Sequence, residues 1–585
     1  MAPILSKNVS KSLYRNLLPA QMFSLAISGL NGILTSMIIG NFMGSDCLAV
    51  FGFITPLNCI HTLLGTGISA GAQILCGRFI GRGDNDSISD VYSAAMLFCI
   101  LAGGILTVLY QFFPNAVAAL LGASGESLKL TAGYLRGLSW GMIFQILSSS
   151  MIVFLQLDNA GFTMYLAIGV MTAGNIAGDL VDIFLVKGGM FGAGVAASIS
   201  NVLFTLVVLI YYYSPKCGTK IKLRGFNGKI GKDIIVFGMP TFMMFIAMTF
   251  RNLIMNKVAL GISGAAAMTA LGVMGSMDAL AAPFNRGGDY TVNIISSILY
   301  GERDKNSLRE LLPTALSYDY PMHSGCYVIV FLFASMFARL FGVKGDLVPF
   351  VTTAIRLNLL YLLANDMFLL VTSIYRGIGR NGLINVAMIL NYFVFPVFFC
   401  LTLPKVFGIN GFWLSYVLPE VFVALILVLW ASKKRGSLPK RMSEVIYIPE
   451  ETGIGKRDRL DLTIRDEKDI SSAAANAMSF CKSKGMSESL ANSCSLCIEE
   501  MTAAILERGK KLELKKKEVD LRLIYENNGI SMILRDNYPP FNPMEWGEIN
   551  ENEETIGVRM VIKMAKSVVY NTVLNLNVLT IRVEQ

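Results

Sequence analysis

Charge is what this chain of 585 residues has least of. Asp, Glu, Lys and Arg together make up 16% of it, against about a quarter in a soluble globular protein. Hydrophobic residues make up 54%, and the mean hydropathy is +0.55. That excludes a water-soluble fold for most of the length. Histidine is nearly missing: His61 and His323 are the two in the chain, which excludes a multi-histidine metal centre. Each stands alone on an apolar segment, where a hydrogen-bonded core histidine is the stronger reading over a proton relay. The ten cysteines are scattered singly apart from Cys494 and Cys497, which excludes a disulfide framework and suits a reduced compartment. That pair falls in a helical run with no second pair or histidine nearby, so it reads as core and not as a zinc or redox site. A cleavable leader pattern is also absent. Met1 to Lys11 is short and polar, and the apolar segment after it is long enough to insert and stay. Net charge is +9, too mild for a nucleic-acid partner. Lys510, Lys511, Lys515, Lys516 and Lys517 read as a solvated loop or a contact with an anionic inner leaflet.

What is present is a succession of apolar segments from about residue 13 to about 432, near or above the ~20 residues a spanning helix needs. About twelve are counted, the least secure being those near 281 and 323, where Arg286, Asp289 and Asp319 intrude. Basic residues gather in alternate connections: Arg78 and Arg82, Lys216 to Lys232, Arg303 to Arg309, Arg376 and Arg380, Lys433 to Arg435. By the positive-inside rule both termini and the central loop are cytoplasmic, in a multi-pass protein of the cell (inner) membrane. The segments also repeat. Pro19 matches Pro240, Gly52 matches Gly272, Gly81-Arg82-Gly83-Asp84 matches Gly301-Glu302-Arg303-Asp304, Gln156 matches Arg376 and Asn175 matches Asn391. Two six-helix units entered from the same side are parallel repeats, an architecture of transporters.

Within the fifth segment stand Asn175, Asp179 and Asp182. A carboxylate at bilayer depth costs at least ~2.5–3.5 kcal/mol on insertion scales, so it marks an ion or substrate path by default. Asn175 and Asp179 are four apart and share a helical face. The bland alternative, a cap or a snorkelling end group, is stronger for Asp182 than for Asp179. The counterpart of Asp179 in the second repeat is Phe395, which confines the acid to one lobe. In the second half the intramembrane polar candidates for a substrate cleft are Arg251, Asn256, Asp289, Asp366 and Glu420. An ion pair locking helices together fits them equally well. Met243, Met244, Met248 and Met255 would suit an adaptable pocket, although plain packing is the commoner use of such spacing.

After Trp430 the composition turns polar, and the stretch to Arg459 with Pro439 and Pro449 reads as a linker. Beyond it the patterns alternate: a strand at 460–465, helices at 469–484 and 488–508, a hairpin of 519–526 and 530–535 around Asn527-Asn528-Gly529, a helix at 556–566, and strands at 568–573 and 577–583. This is the order of a small α+β domain.

The membrane part resembles the multidrug and toxic compound extrusion (MATE) family. The likeness rests on Pro19, Gly40-Asn41-Phe42-Met43-Gly44, Gly81-Arg82-Gly83-Asp84, Asn175-x-x-x-Asp179, Phe191-Gly192-Ala193-Gly194 and Gly408-Ile409-Asn410-Gly411-Phe412-Trp413. The resemblance implies export of organic cations, drugs or other amphipathic compounds against an inward flow of H⁺ or Na⁺. It also implies a cation site in the N-terminal lobe at Asn175 and Asp179. Many members carry an aspartate near the place of Thr35; with a hydroxyl there the site loses one negative ligand, which Asp182 would compensate. The C-terminal region is similar to histidine-kinase-type ATP-binding domains shared with anti-sigma kinases. Glu500 falls at the acid of the metal-binding helix, Asp536 and Asn537 at the adenine loop, and Gly557 at the turn that starts the helix under the phosphates. Ala504 stands where that family has its magnesium-binding asparagine, and Tyr538 replaces a glycine. These departures remove the obvious Mg²⁺ ligand and leave ATP binding open.

The expectation is therefore a membrane protein with all-α lobes at 1–214 and 233–434, linkers at 215–232 and 435–457, and an α+β two-layer domain at 458–585. It acts as a monomeric antiporter, not an enzyme, with no cofactor or metal required and a regulatory or nucleotide-sensing C-terminal domain open to a cytosolic partner protein. The alternative is a membrane-anchored signalling protein with a ligand-sensing helical part and a kinase-like or adaptor output domain.

Overall fold

The computed structural model describes residues 10–584 except 12, 16, 20, 24, 27–33, 36–37, 40–41, 44, 83, 122, 159, 215–227, 342, 344, 450–453, 455–456, 512–517, 527–528, 537, 540, 550–554 and 574–575. A first helix, α1, is described in part between residues 10 and 43. The first lobe continues with α2 (Ser45–Arg82), α3 (Asn85–Phe112), α4 (Pro114–Leu120), α5 (Gly125–Ser139), α6 (Met142–Leu157), α7 (Gly161–Val181) and α8 (Gly189–Tyr212). A π-helical turn, Asp182–Val186, closes α7. The second lobe comprises α9 (Gly228–Gly301), α10 (Lys305–Leu340), α11 (Leu347–Asn358), α12 (Tyr361–Gly377), α13 (Asn381–Ile389), a π-helical turn (Leu390–Val394), α14 (Phe395–Thr402), α15 (Pro404–Phe407), α16 (Ile409–Leu414) and α17 (Leu418–Arg435).

Among the described residues nine helical stretches are long and apolar enough to span, or ten with α5 and α6, which bend by 58° at their junction, taken as one. The sequence reading counts about twelve. The difference has two sources. Many residues of the first segment lie outside the described set, and so do several side chains of the segment near 281, which is helical and interrupted by Asp278, Arg286 and Asp289. It forms the second half of α9, beyond a bend at Gly264, whose φ of 55° and ψ of −137° suit glycine.

The repeat is visible in the hydrogen bonds. Asp84 caps α3, accepting from Ser87 N at 3.1 Å and Ser87 Oγ at 2.6 Å. Asp304 caps α10 in the same way, from Ser307 N at 3.1 Å and Ser307 Oγ at 2.7 Å. The lobes meet along α2 and α9, where glycines let backbones touch. A Cβ on Gly71 would strike the Ile234 carbonyl, one on Gly77 the Ser297 hydroxyl, and one on Gly301 the backbone of Arg78.

The C-terminal region forms a five-stranded antiparallel sheet in the order β1-β2-β3-β5-β4: β1 (Arg459–Ile464), β2 (Val519–Glu526), β3 (Gly529–Asp536), β4 (Ser567–Val573) and β5 (Leu576–Glu584). Its helices are α18 (Glu467–Ser483), α19 (Glu488–Lys511), α20 (Pro543–Ile549) and α21 (Ile556–Met564). Leu521, Leu523, Met532, Leu534, Leu579 and Ile581 share one core with the helices, and Cys494 and Cys497 are buried there too. Alternation sends Ile524, Ile533 and Val578 to the opposite face. These belong instead to the core of the membrane part, together with Val445, Ile446 and Ile448 of the linker. Both faces of this sheet are therefore covered.

Candidate functional site

A cavity of about 260 Å³ lies between the lobes. Gln21, Gln73, Gln156, Ile168 and Met171 line it from the first lobe, and Asn285, Arg286, Asp289, Asn293, Asn365 and Arg376 from the second. Its polar walls are knitted by amide pairs: Asn293 donates to Gln73 at 2.9 Å, Gln156 to Gln21 at 3.2 Å, and Asn365 to Asn285 at 2.8 Å. Gln73 and Asn293 stand 220 positions apart, the offset of the repeat, so they pair with each other across its pseudo-axis. Gln156 and Arg376, matched in the repeat, face the same cavity from opposite lobes.

Toward the end of α2, five residues beyond the cavity-lining Gln73, Arg78 ties the two lobes together. This first-lobe guanidinium donates to the Gly377 carbonyl from Nη2 at 2.9 Å and Nε at 3.3 Å. It lies between the rings of Phe237, 4.4 Å away, and Tyr300, 4.6 Å away. All three partners belong to the second lobe. The C-terminal domain sits against this end. Arg535 pairs with Glu302 at 2.5 Å and Asp304 at 3.4 Å, Arg522 with Asp304 at 3.0 Å, and all four side chains are at least largely buried. Burial would raise the Asp304 carboxyl, but the Arg522 and Arg535 guanidiniums overcome it and hold the acid well below the usual carboxylate range.

Asp179 lies apart from the cavity, buried at 1% exposure, with Thr35 and Asp182 as polar neighbours. Neither of its oxygens makes a well-formed hydrogen bond among the described residues. Asn175 donates to Thr35 Oγ1 at 2.8 Å, tying α7 to α1. Asp182 has a local partner: its Oδ1 accepts from Gly188 N at 2.9 Å, closing the π turn that ends at left-handed Lys187.

The five second-lobe candidates are not brought together. Asp289 lines the cavity and accepts from Ser373 Oγ, with Arg376 Nη2 3.7 Å away. Asp366 bonds His323 at 2.5 Å, in a buried group where Tyr14 of α1 donates to Asp319 at 2.5 Å. Glu420 sits against Asn391. Arg251 lies over the Tyr416 ring and bonds Asn252, and Asn256 is exposed. His323 is thus a hydrogen-bonded core histidine, and so is His61, which bonds the Tyr110 hydroxyl at 2.8 Å.

In the C-terminal domain the described residues singled out by the kinase-like resemblance make contacts within the chain itself. The Glu500 carboxylate lies directly against Gly557 at the start of α21, where a Cβ would collide with it. Asp536 accepts from Tyr538 N at 2.9 Å and Asn577 Nδ2 at 2.7 Å, and burial pushes its carboxyl up to about 6. The Tyr538 ring packs on Gly509 of α19. Asn537 lies outside the described residues.

Two helical lobes related by a repeat, with a polar cavity on the shared axis and a latch at one end, define a membrane transporter. The MatE family model matches this chain twice, over residues 20–181 and 240–402, again 220 positions apart. The protein belongs to that family: it is a secondary transporter and not an enzyme. It is 25% identical over 429 residues to the multidrug export protein MepA of Staphylococcus aureus (strain MSSA476), covering 73% of this chain and 94% of that protein. It is 24% identical over 443 residues to MepA of Staphylococcus saprophyticus, covering 75% and 97%. Among solved structures, an outward-facing multidrug resistance MATE transporter of the MOP superfamily superposes with a TM-score of 0.68 at 20% identity, covering 74% of this chain and 96% of that one. A MOP superfamily transporter from Pyrococcus furiosus gives the same score, identity and 74% coverage of this chain. At such identities the structures show the fold alone.

Proposed function

We propose that the protein is a cation-coupled antiporter that exports drug-like amphipathic small molecules across the cell membrane by alternating access. H⁺ or Na⁺ is the coupling ion, and the C-terminal domain regulates the cycle. The observation that carries the coupling is Asp179: a carboxylate at 1% exposure with no well-formed hydrogen bond to either oxygen among the described residues. Such a group is stable in an apolar surround when it holds a proton or a cation. Thr35 and Asn175 bring further oxygens beside it, so filling and emptying this site biases the packing of α1 against α7. The names of the curated relatives, multidrug export proteins, support the substrate class. Placing the basic connections on the cytoplasmic side puts the Arg78 latch there, so the described conformation is closed inward. The regulatory role rests on the ion pairs of Arg522 and Arg535 with Glu302 and Asp304, which tie the domain to the connection between α9 and α10.

Flux in proteoliposomes under imposed pH or Na⁺ gradients, wild type against Asp179→Asn, tests this. Gradient-driven flux in the wild type should fall to the empty-vesicle level in the variant. Flux that ignores both gradients, or an unimpaired variant, defeats the proposal.

A further inference from the structure

We propose that the central cavity selects uncharged amphipathic molecules, an aromatic or alkyl body carrying an amide, urea or hydroxyl group, over organic cations and organic anions alike. This rests on the reading of the cavity as the translocation site and narrows it to a substrate class.

The charges on the wall cancel. Arg286, Arg376 and Asp289 line the cavity, and Asp289 faces both arginines. Asp278 lies within electrostatic range of Arg286 and supplies a second negative charge. Tyr392, also on the wall, has two acids and two arginines around it: Glu420 and Asp289, Arg286 and Arg251. The undescribed positions of the first helix, from 12 to 44, include no charged residue. A ligand of either sign therefore meets no surplus of the opposite charge. It would give up its hydration on entry without gaining an ion pair in return.

What the wall does offer is unused hydrogen-bonding capacity of both kinds. Gln21 Nε2 and Arg376 Nε are donors, and Asn293 Oδ1 and Asn365 Oδ1 acceptors, that have no hydrogen-bond partner among the described residues. All four side chains line the cavity at 5% exposure or less. The carboxamide pairs account for three of them. A carboxamide has a donor end and an acceptor end. Gln21, Asn293 and Asn365 each use one end on a neighbouring carboxamide, which leaves the other end unmet.

A buried polar atom without a partner is costly, and a ligand that meets it recovers that cost. Donors and acceptors together are answered by a group that both accepts and donates. An amide, urea or hydroxyl does so without bringing a charge. The apolar half of the recognition comes from Met171, Met244 and Met388, whose thioethers adapt to bodies of different shape. A volume of about 260 Å³ suits a small molecule.

Three matched fluorophores measure the preference at neutral pH on the full-length protein in neutral detergent, with the micelle background subtracted. Dansylglycinamide is neutral, dansylglycine an anion and dansylethylenediamine a cation. No gradient is imposed and no export is read, so failure of the antiporter reading does not enter the result. The wild type should bind dansylglycinamide roughly tenfold or more tightly than either charged probe. Gln21→Met and Asn365→Leu keep the bulk of the side chain and remove the amide. Each should weaken dansylglycinamide roughly threefold or more and leave the charged probes within about twofold. A loss of binding also follows from misfolding, so two further variants are read as gains. Asp289→Asn uncovers the arginines and should tighten dansylglycine severalfold. Arg376→Gln uncovers Asp289 and should tighten dansylethylenediamine severalfold. Wild-type binding of a charged probe as tight as that of dansylglycinamide, an equal loss for all three probes in the amide variants, or a charge variant that fails to tighten its probe would each overturn the proposal.

Discussion

Replacing Arg78 by alanine should open the end of the transporter that now carries the C-terminal domain. The side chain donates to the Gly377 carbonyl and is held between Phe237 and Tyr300. A hydrogen bond from a charged donor contributes about 1.5–3 kcal/mol, and each cation–π contact about 0.5–2 kcal/mol. The terms share one guanidinium and do not add fully, so about 3 kcal/mol is a fair figure for the latch. Since about 1.4 kcal/mol is tenfold, the ratio of closed to open states should fall by about 100-fold. Arg78→Lys should fall between, because an ammonium keeps the charge but cannot lie flat between two rings. Phe162 and Gly382, each the second residue of its helix (α7 and α13) and both exposed, suit a pair of spin labels on the two lobes. With accessible native cysteines replaced, pulsed EPR should show one short distance in the wild type and a longer population in Arg78→Ala. An unchanged distribution in that variant would refute the latch.

Three further outcomes are expected. Arg535→Ala leaves Glu302 and Asp304 buried with fewer positive partners, at a cost of about 3–5 kcal/mol; maleimide labelling of Ile533→Cys on the covered sheet face should speed up sharply, and an unchanged labelling rate would show that the ion pairs do not hold the domain. Asp182→Asn keeps an oxygen for the Gly188 N–H, so transport should stay within about twofold of wild type while Asp182→Ala destabilises the turn by about 1 kcal/mol; equal loss with Asp179→Asn would instead place both acids in one ion site. Asp536 has a folded pKa of about 6 against an ordinary 3.8, a raised value, so its contribution to stability is full below about pH 4 and lost as pH climbs through 6. Asp536→Asn should therefore raise the stability of the C-terminal domain by up to about 3 kcal/mol at pH 8 and hardly at all at pH 4; a pH–stability profile identical to wild type would contradict the assignment.

Much of the architecture is legible in the residues. Apolar length locates the spanning helices, constant offsets locate the repeat, and period-two alternation with turn residues places all five strands of the C-terminal sheet. Helix faces are harder to read. A segment that is apolar all round does not reveal which side meets the cavity. Asp366 is as conspicuous as Asp289 in the sequence, yet it is bonded to His323 away from the cavity while Asp289 reaches it. The polar part of the wall includes the carboxamides Gln21, Gln73, Asn285, Asn293 and Asn365. These carry no charge and so escape a search for costly groups. One pattern could have found two of them: Gln73 and Asn293 are carboxamides at the repeat offset, and only residues on the axis of a repeat can touch their own counterparts.

The covered outer face of the C-terminal sheet has a further consequence. The linker is itself packed as far as Ile448, and Tyr447 N donates to the Tyr375 hydroxyl at 2.9 Å. The stretch between Ile448 and β1 is only ten residues long, short enough to hold the domain at an effective concentration in the millimolar range. At that concentration docking need not be tight. An interface too weak to join two separate proteins would remain occupied here most of the time, and a competitor for Arg522 or Arg535 would shift it by mass action. The short connection, not the strength of each contact, keeps the domain within reach of its dock after every release.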